Sequence, residues 1–155
     1  MATGGTFDHL HRGHESLLKK SFEVGREVVI GVTSDEFVAR EGKKPDFNYT
    51  SRVRELENYL RRNFPGRKYF ITKLYDNFGP GIAAEDVEAI VVSPETVNKV
   101  PIANQLRSAK GFKPLDVVVI DWVLANDGKL ISSNRIRKGE VDREGRILGG
   151  RRRAR

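Results

Sequence analysis

Near its start the chain reads Gly4-Gly5-Thr6-Phe7-Asp8-His9-Leu10-His11-Arg12-Gly13-His14, and far downstream Ile131-Ser132-Ser133-Asn134-Arg135-Ile136-Arg137. Both stretches are rich in groups that hold phosphate: imidazoles, hydroxyls, guanidinium groups and glycine. The first reads as a strand end, a glycine turn, and a helix whose first turn carries His11 and His14. A helix start leaves backbone N–H groups without partners and carries roughly half a positive charge, so it suits an anion. Residues three apart share a helix face, so both imidazoles can point at one ligand. Gly13 stands where backbone and ligand would approach closely. Downstream, Ser132-Ser133-Asn134 offers three cap-forming residues at a second helix start, with Arg135 and Arg137 in its first turns. Guanidinium groups and open donors there suit the outer phosphates of a triphosphate. Plainer readings stand beside these. The histidines can simply cap and pack a helix, and the second stretch can be an ordinary N-cap with two exposed arginines. A metal site from His9, His11 and His14 is a third reading, but no glutamate or cysteine sits at a matching spacing and the three straddle a turn.

A third element is Lys43-Lys44-Pro45-Asp46-Phe47, followed by Arg52-Val53. By itself a lysine pair in a Gly/Pro loop is a solvated turn, or a loop that closes over substrate. Chemistry that joins two phosphates needs no strong base when the nucleophile is already ionised. It needs positioning and positive potential around charge that moves onto the leaving group. The residue types above meet that demand without a carboxylate pair.

The segment Thr6 to His14 resembles the His-x-Gly-His motif of the nucleotidylyltransferase superfamily, and Ile131 to Arg137 resembles its second motif. Taken together, up to about Gly145, the chain is similar to the archaeal branch of the phosphopantetheine adenylyltransferases. That resemblance implies transfer of the adenylyl group of ATP to 4′-phosphopantetheine, giving dephospho-coenzyme A and pyrophosphate. It implies Mg2+ carried mainly by the ATP phosphates, with no protein metal ligands. His14 and Lys43 would be catalytic, His14 at the α-phosphate and Lys43 bridging acceptor and nucleotide. Gly5, Thr6, Phe7, His11, Gly13, His14, Ser132, Ser133, Arg135 and Arg137 would bind the nucleotide, and Thr6, Lys43 and Lys44 the acceptor. Asn134 departs from the usual Ser or Thr. The Val91 to Thr96 segment lacks the arginines that bacterial relatives place there. Asn104 and Arg107 match an archaeal Asn-x-x-Arg pattern and offer replacement charge, unless they are exposed helix polars. The same motifs leave open a nicotinamide mononucleotide adenylyltransferase, a cytidylyltransferase, and a non-catalytic nucleotide- or RNA-binding module.

The elements that must position these residues follow a β-α-β-α rhythm. Apolar, β-branched runs at 27–33, 68–74, 89–93 and 117–121 read as strands of a parallel sheet covered on both faces. Only Met1-Ala2-Thr3 precede the glycine pair, so the first strand is expected to be very short. Helices are expected over 14–24, 49–63 and 95–110, with Gly25 and Gly111 at C-termini and Pro65-Gly66 as a stop. The expectation is an α/β fold: one Rossmann-like, doubly wound, five-stranded parallel sheet with its ligands at the carboxyl ends of the strands. The 155 residues are expected to form a single domain over 1–150, with a basic, disordered tail at 151–155 or a tail that touches nucleic acid. Net charge is +7, but Arg151, Arg152, Arg153 and Arg155 supply four of those charges. A mildly basic body suits small polyanions better than a duplex. The absence of cysteine excludes disulfides and cysteine-held zinc and fits a cytoplasmic protein. No apolar run approaches the ~20 residues of a membrane span.

Overall fold

The computed structural model describes residues 1–76 and 84–149, so the arginine tail lies outside the described residues. Four residues are enough for the first strand, β1 (Ala2–Gly5), because it pairs along its length with β2 (Glu27–Thr33) and on its other side with β4 (Ala89–Val92). With β3 (Lys68–Leu74) and β5 (Asp116–Val119), the strands form an all-parallel sheet of order β3-β2-β1-β4-β5. The chain runs outward from β1 to β3, then returns to β4 on the other side. The carboxyl end of β1 therefore lies at the switch point, where such sheets bind ligands.

One face of the sheet is closed by α1 (Arg12–Val24) and α3 (Tyr49–Asn63). Leu17, Leu18 and Phe22 of α1 and Leu56 and Leu60 of α3 meet Val28, Ile30, Val32 and Val91. Ser21 lies within this apolar stripe without penalty because its hydroxyl donates to the Leu17 carbonyl at 2.8 Å. The opposite face is less complete. Ala2, Val87 and Leu115 form a small cluster there, yet Phe70 is 64% exposed and Val117 and Val119 are also exposed. The sheet is thus doubly wound, but the expected full cover applies to the α1 and α3 side.

Several boundaries differ from expectation for local reasons. A short helix, α2 (Asp35–Arg40), follows β2, started by Ser34, whose hydroxyl accepts the Phe37 N–H at 3.0 Å. The helix expected over 95–110 divides into a tight turn at Val97–Lys99 and α4 (Val100–Ala109), with Pro101 in the first turn, where a missing N–H costs nothing. β4 ends one residue early, and β5 runs 116–119 rather than 117–121. Gly66 and Gly111 adopt left-handed φ values of +76° and +79°, as helix stops require, whereas Gly25 leaves α1 in extended conformation. Beyond β5 the chain folds back through antiparallel bridges at Leu124–Leu130 and Val141–Ile147 around buried Ala125, Ile131 and Val141. This carries α5 (Ser133–Arg137) to the end of β1.

Candidate active site

After β1 the chain turns through Thr6, Phe7, Asp8 and His9. Phe7 and His9 take left-handed backbone angles, φ 55° and 52°, which cost a non-glycine residue roughly 1–2 kcal/mol each. The turn persists because it drives Phe7 and Asp8, each 1% exposed, into the interior. One oxygen of the Asp8 carboxylate accepts the Phe47 N–H at 3.1 Å. The other accepts the Asp46 N–H at 3.0 Å and an N–H of Arg137 at 2.7 Å. The Ser133 hydroxyl donates to the Asp8 carbonyl. All three elements singled out from the sequence therefore meet at one buried carboxylate.

His11 caps α1 in an unusual way. Its Nδ1 accepts the Gly13 N–H at 3.0 Å, while its own backbone N–H donates to Nδ1 of His14 at 3.2 Å. The two rings stack with centroids 3.8 Å apart. A side chain on Gly13 would place its Cβ 2.8 Å from the His11 ring, so glycine is required for this cap. The backbone N–H of Arg12 is taken by the Arg143 carbonyl at 3.1 Å. The helix start is thus less open than the sequence suggested, and the imidazoles offer anion donors in its place. With Nδ1 accepting, each neutral ring carries its proton on Nε2, and neither Nε2 has a hydrogen-bond partner among the described residues. Burial lowers His11 to about 4, helped by the charges of Arg143 and His9. Burial, His11 and Arg143 hold His14 well below the ordinary imidazole range. Both are neutral N–H donors at neutral pH.

Thr6 is fixed from the next strand. The Thr33 hydroxyl donates to the Thr6 hydroxyl at 3.0 Å, which leaves the Thr6 proton available to a ligand. Arg52, only 1% exposed, holds this arrangement by donating to the carbonyls of Thr6 (2.8 Å), Thr33 (2.9 Å) and Phe47 (3.0 Å) and to Asp35 (2.8 Å). Lys43 follows α2, its N–H bonded back to the Val38 carbonyl at 3.0 Å, and the side chains of Lys43 and Lys44 are exposed without hydrogen bonds among the described residues.

Ser133 and Arg137 thus reach Asp8; His11, Gly13 and His14 contact one another, with the Phe7 ring 5.1 Å from that of His14; Thr6 is held by Thr33, and the lysine loop is tied in through Asp46 and Phe47. Two expected contacts are redirected. Arg135 pairs with Asp127 and Glu140 and donates to the Leu130 carbonyl at 3.1 Å, so it braces α5 against its neighbouring turns. Arg107 is 2% exposed and donates to the carbonyls of Lys113, Ala84 and Val87, and Asn104 accepts the Leu115 N–H. Neither is a free helix polar, and the replacement charge proposed for them is instead engaged in the fold. Ser132 serves as the N-cap of α5, accepting the Arg135 N–H at 3.2 Å. His9 turns away from the other histidines to Asp46, 2.6 Å distant, so the three-histidine metal set does not form. Asp8, His9 and Asp46 lie within 4.8 Å of one another, but Asp8 has both oxygens occupied by N–H donors.

Sequence reasoning missed Asp8, Arg52 and Arg143. Asp8 and Arg52 lay inside the quoted motifs, and a charged residue among positions that must be interior was the available signal. Arg143 carried none: it reaches Glu55 at 2.9 Å only because the C-terminal turns fold back.

Against known proteins, a family model described as cytidylyltransferase-like matches residues 2–139. The chain is 45% identical over 148 residues to the phosphopantetheine adenylyltransferase of Methanothermobacter thermautotrophicus, covering 96% of this chain and 88% of that one. It is also 45% identical over 142 residues to the enzyme of the same name from Methanopyrus kandleri, with 92% and 90% covered. Among solved structures, a protein of unknown function from Archaeoglobus fulgidus superposes with a TM-score of 0.69 at 33% identity, covering 79% of this chain and 98% of that one.

Proposed function

The chain belongs to the cytidylyltransferase-like family, and on that premise we propose that it transfers the adenylyl group of ATP to 4′-phosphopantetheine, releasing pyrophosphate. The observation that carries this reading is the meeting of both motifs and the lysine loop at Asp8, beside two imidazoles with unpartnered Nε2–H groups. The names of the relatives at 45% identity support the choice of acceptor.

An oxygen of the acceptor phosphate attacks the α-phosphorus, the bond to the β-phosphate bridging oxygen breaks, and pyrophosphate leaves. No proton needs to be removed, so the residues act by position and charge. His14 donates its Nε2–H to the α-phosphate as the crowded transition state forms, and His11 donates to a neighbouring oxygen. Because both rings are neutral, they contribute oriented dipoles, and the positive charge comes from Arg137, Lys43 and Lys44. Thr6 donates its hydroxyl proton to the acceptor phosphate. Arg137 gives its remaining N–H groups to the outer phosphates. Mg2+ carried by the triphosphate would neutralise charge on its phosphates, and no protein residue is assigned to hold it. On this reading residues 1–150 form one nucleotidylyltransferase domain. No helix among the described residues is long and apolar enough to cross a membrane, and an ATP-dependent, cysteine-free chain fits the cytoplasm.

The decisive measurement is pyrophosphate release with ATP or CTP against 4′-phosphopantetheine, nicotinamide mononucleotide and glycerol phosphate. Turnover with ATP and 4′-phosphopantetheine is expected. Preference for another pair would reassign the substrates, and ATP binding without release from any pair would make this a non-catalytic module.

A further inference from the structure

We propose that Asp8 is a positioning residue that registers the acceptor-side lysine loop against the nucleotide-side arginine, so that one buried carboxylate sets the geometry of both phosphates. The proposal rests on the adenylyl-transfer reading for what Lys43 and Arg137 bind. The link itself rests on contacts alone.

The Phe47 peptide is held on both sides: Asp8 takes its N–H at 3.1 Å, and Arg52 donates to its carbonyl at 3.0 Å. The Asp46 N–H is taken by Asp8 as well. At the other end of the loop, the Lys43 N–H is fixed to Val38 at the end of α2. The lysine pair therefore sits on a short span anchored at both ends. Its exit anchor is a carboxylate belonging to the first motif. The same oxygen that receives Asp46 receives Arg137 at 2.7 Å, while the Nε and second terminal nitrogen of Arg137 have no hydrogen-bond partner among the described residues. Asp8 thus aims Arg137 without neutralising all its donors. A buried carboxylate is retained only when its lone pairs are met by donors, and here those donors come from the two segments that must grip different substrates. Left-handed Phe7 and His9 on either side of Asp8 fix the carboxylate relative to β1. Asp8 touches neither substrate in this account, and it acts through the residues it holds.

The test is steady-state kinetics and amide exchange on wild type, Asp8→Asn, Arg137→Ala and the double variant. Asn keeps one acceptor but turns an N–H2 group toward N–H donors, which opposes the junction. Asp8→Asn is expected to raise the KM of both ATP and 4′-phosphopantetheine about tenfold or more. In the Arg137→Ala background it should still raise the acceptor KM but add nothing to the ATP KM, because its route to ATP is then gone. The amides of residues 46 and 47 should exchange about tenfold faster in Asp8→Asn. A folded Asp8→Asn protein with both KM values within about twofold of wild type overturns the proposal, because a purely structural role lowers the melting temperature without that split. If Asp8→Asn does not fold, Asp46→Pro removes one N–H of the junction, and Asp46→Ala controls for loss of the His9 pair. Asp46→Pro should then raise the acceptor KM about fivefold over Asp46→Ala with the ATP KM unchanged, and equal acceptor KM values overturn the proposal. Faster exchange at 46 and 47 in a protein whose wild type turns over no acceptor would leave the junction standing and remove the catalytic reading.

Discussion

An imidazole that accepts a backbone N–H at Nδ1 must carry its proton on the other nitrogen, and at this site two stacked rings do so in sequence. The helix cap thereby converts inward-facing backbone donors into side-chain Nε2–H groups. Burial keeps both rings neutral, so the pair adds no fixed positive charge that would hold the ground-state triphosphate tightly. The contribution of His14 is thus largest where charge builds on the α-phosphate. His14→Ala should lower kcat about 100- to 1,000-fold while the ATP KM stays within a few fold, measured by pyrophosphate release. Near-normal turnover would remove His14 from the chemistry. The cap also has a pH signature. The His11 value is depressed to about 4 in the folded chain, whereas an unfolded imidazole titrates near ~6.5. Between those values the unfolded state binds more protons, so this stabilisation is present above pH ~6.5 and is lost as pH falls toward 4, by on the order of 3 kcal/mol at most. His11→Asn keeps a good N-cap without the titration. Its denaturant midpoint should fall less steeply than that of wild type over this window, and equal slopes would mean that His11 does not contribute.

At the scale of elements, strands and amphipathic helices could be read from the sequence because burial pattern and chain period coincide in them. β2, β3 and α3 follow the runs at 27–33, 68–74 and 49–63 without adjustment. The short α2 was not seen because six residues are too few to show a period, and its evidence is a single cap at Ser34. Arg107 and Arg135 are hard to read from sequence for a shared reason. A guanidinium that braces carbonyls or carboxylates has the same sequence as one that waits for phosphate, and only its neighbours differ. Gly13 is the opposite case, since its type and place were informative although its reason was not. It stands clear for the His11 ring that accepts its N–H. In an ordinary helix, Gly→Ala is favourable by about 1 kcal/mol. Here Gly13→Ala should lower the melting temperature and reduce kcat together, because the new methyl displaces the ring that caps α1. A variant that is stabilised and fully active would show that the two-histidine cap is dispensable.

For the whole molecule, the site exists because the last third of the chain returns to the first strand. The match to the family model stops at residue 139, but the contacts that hold the ends together do not. The Arg143 carbonyl accepts the first N–H of α1, and Asn126 donates to Gly145. The Arg143 side chain pairs with Glu55, whose other oxygen accepts the Leu10 N–H at 3.3 Å. Val141, fully buried, packs with Ala125 and Ile131, and a Cβ on Gly13 would lie 3.6 Å from the Ile131 side chain. Burying one such valine is worth about 1.5–3 kcal/mol, so removing it together with these hydrogen bonds loosens α5 from α1. A chain stopped after Gly139 should therefore show a lower melting temperature and an ATP KM raised about tenfold or more, although every residue matched by the family model is present. A chain lacking only residues 151–155 should keep both kinetic constants within about twofold of wild type, since Thr6, His11, His14, Lys43, Lys44 and Arg137, the groups assigned to the phosphates, all remain. Equal ATP affinity in the two truncations would separate the C-terminal turns from the site, and a large loss on removing the arginines alone would give the tail a part in binding the polyanion.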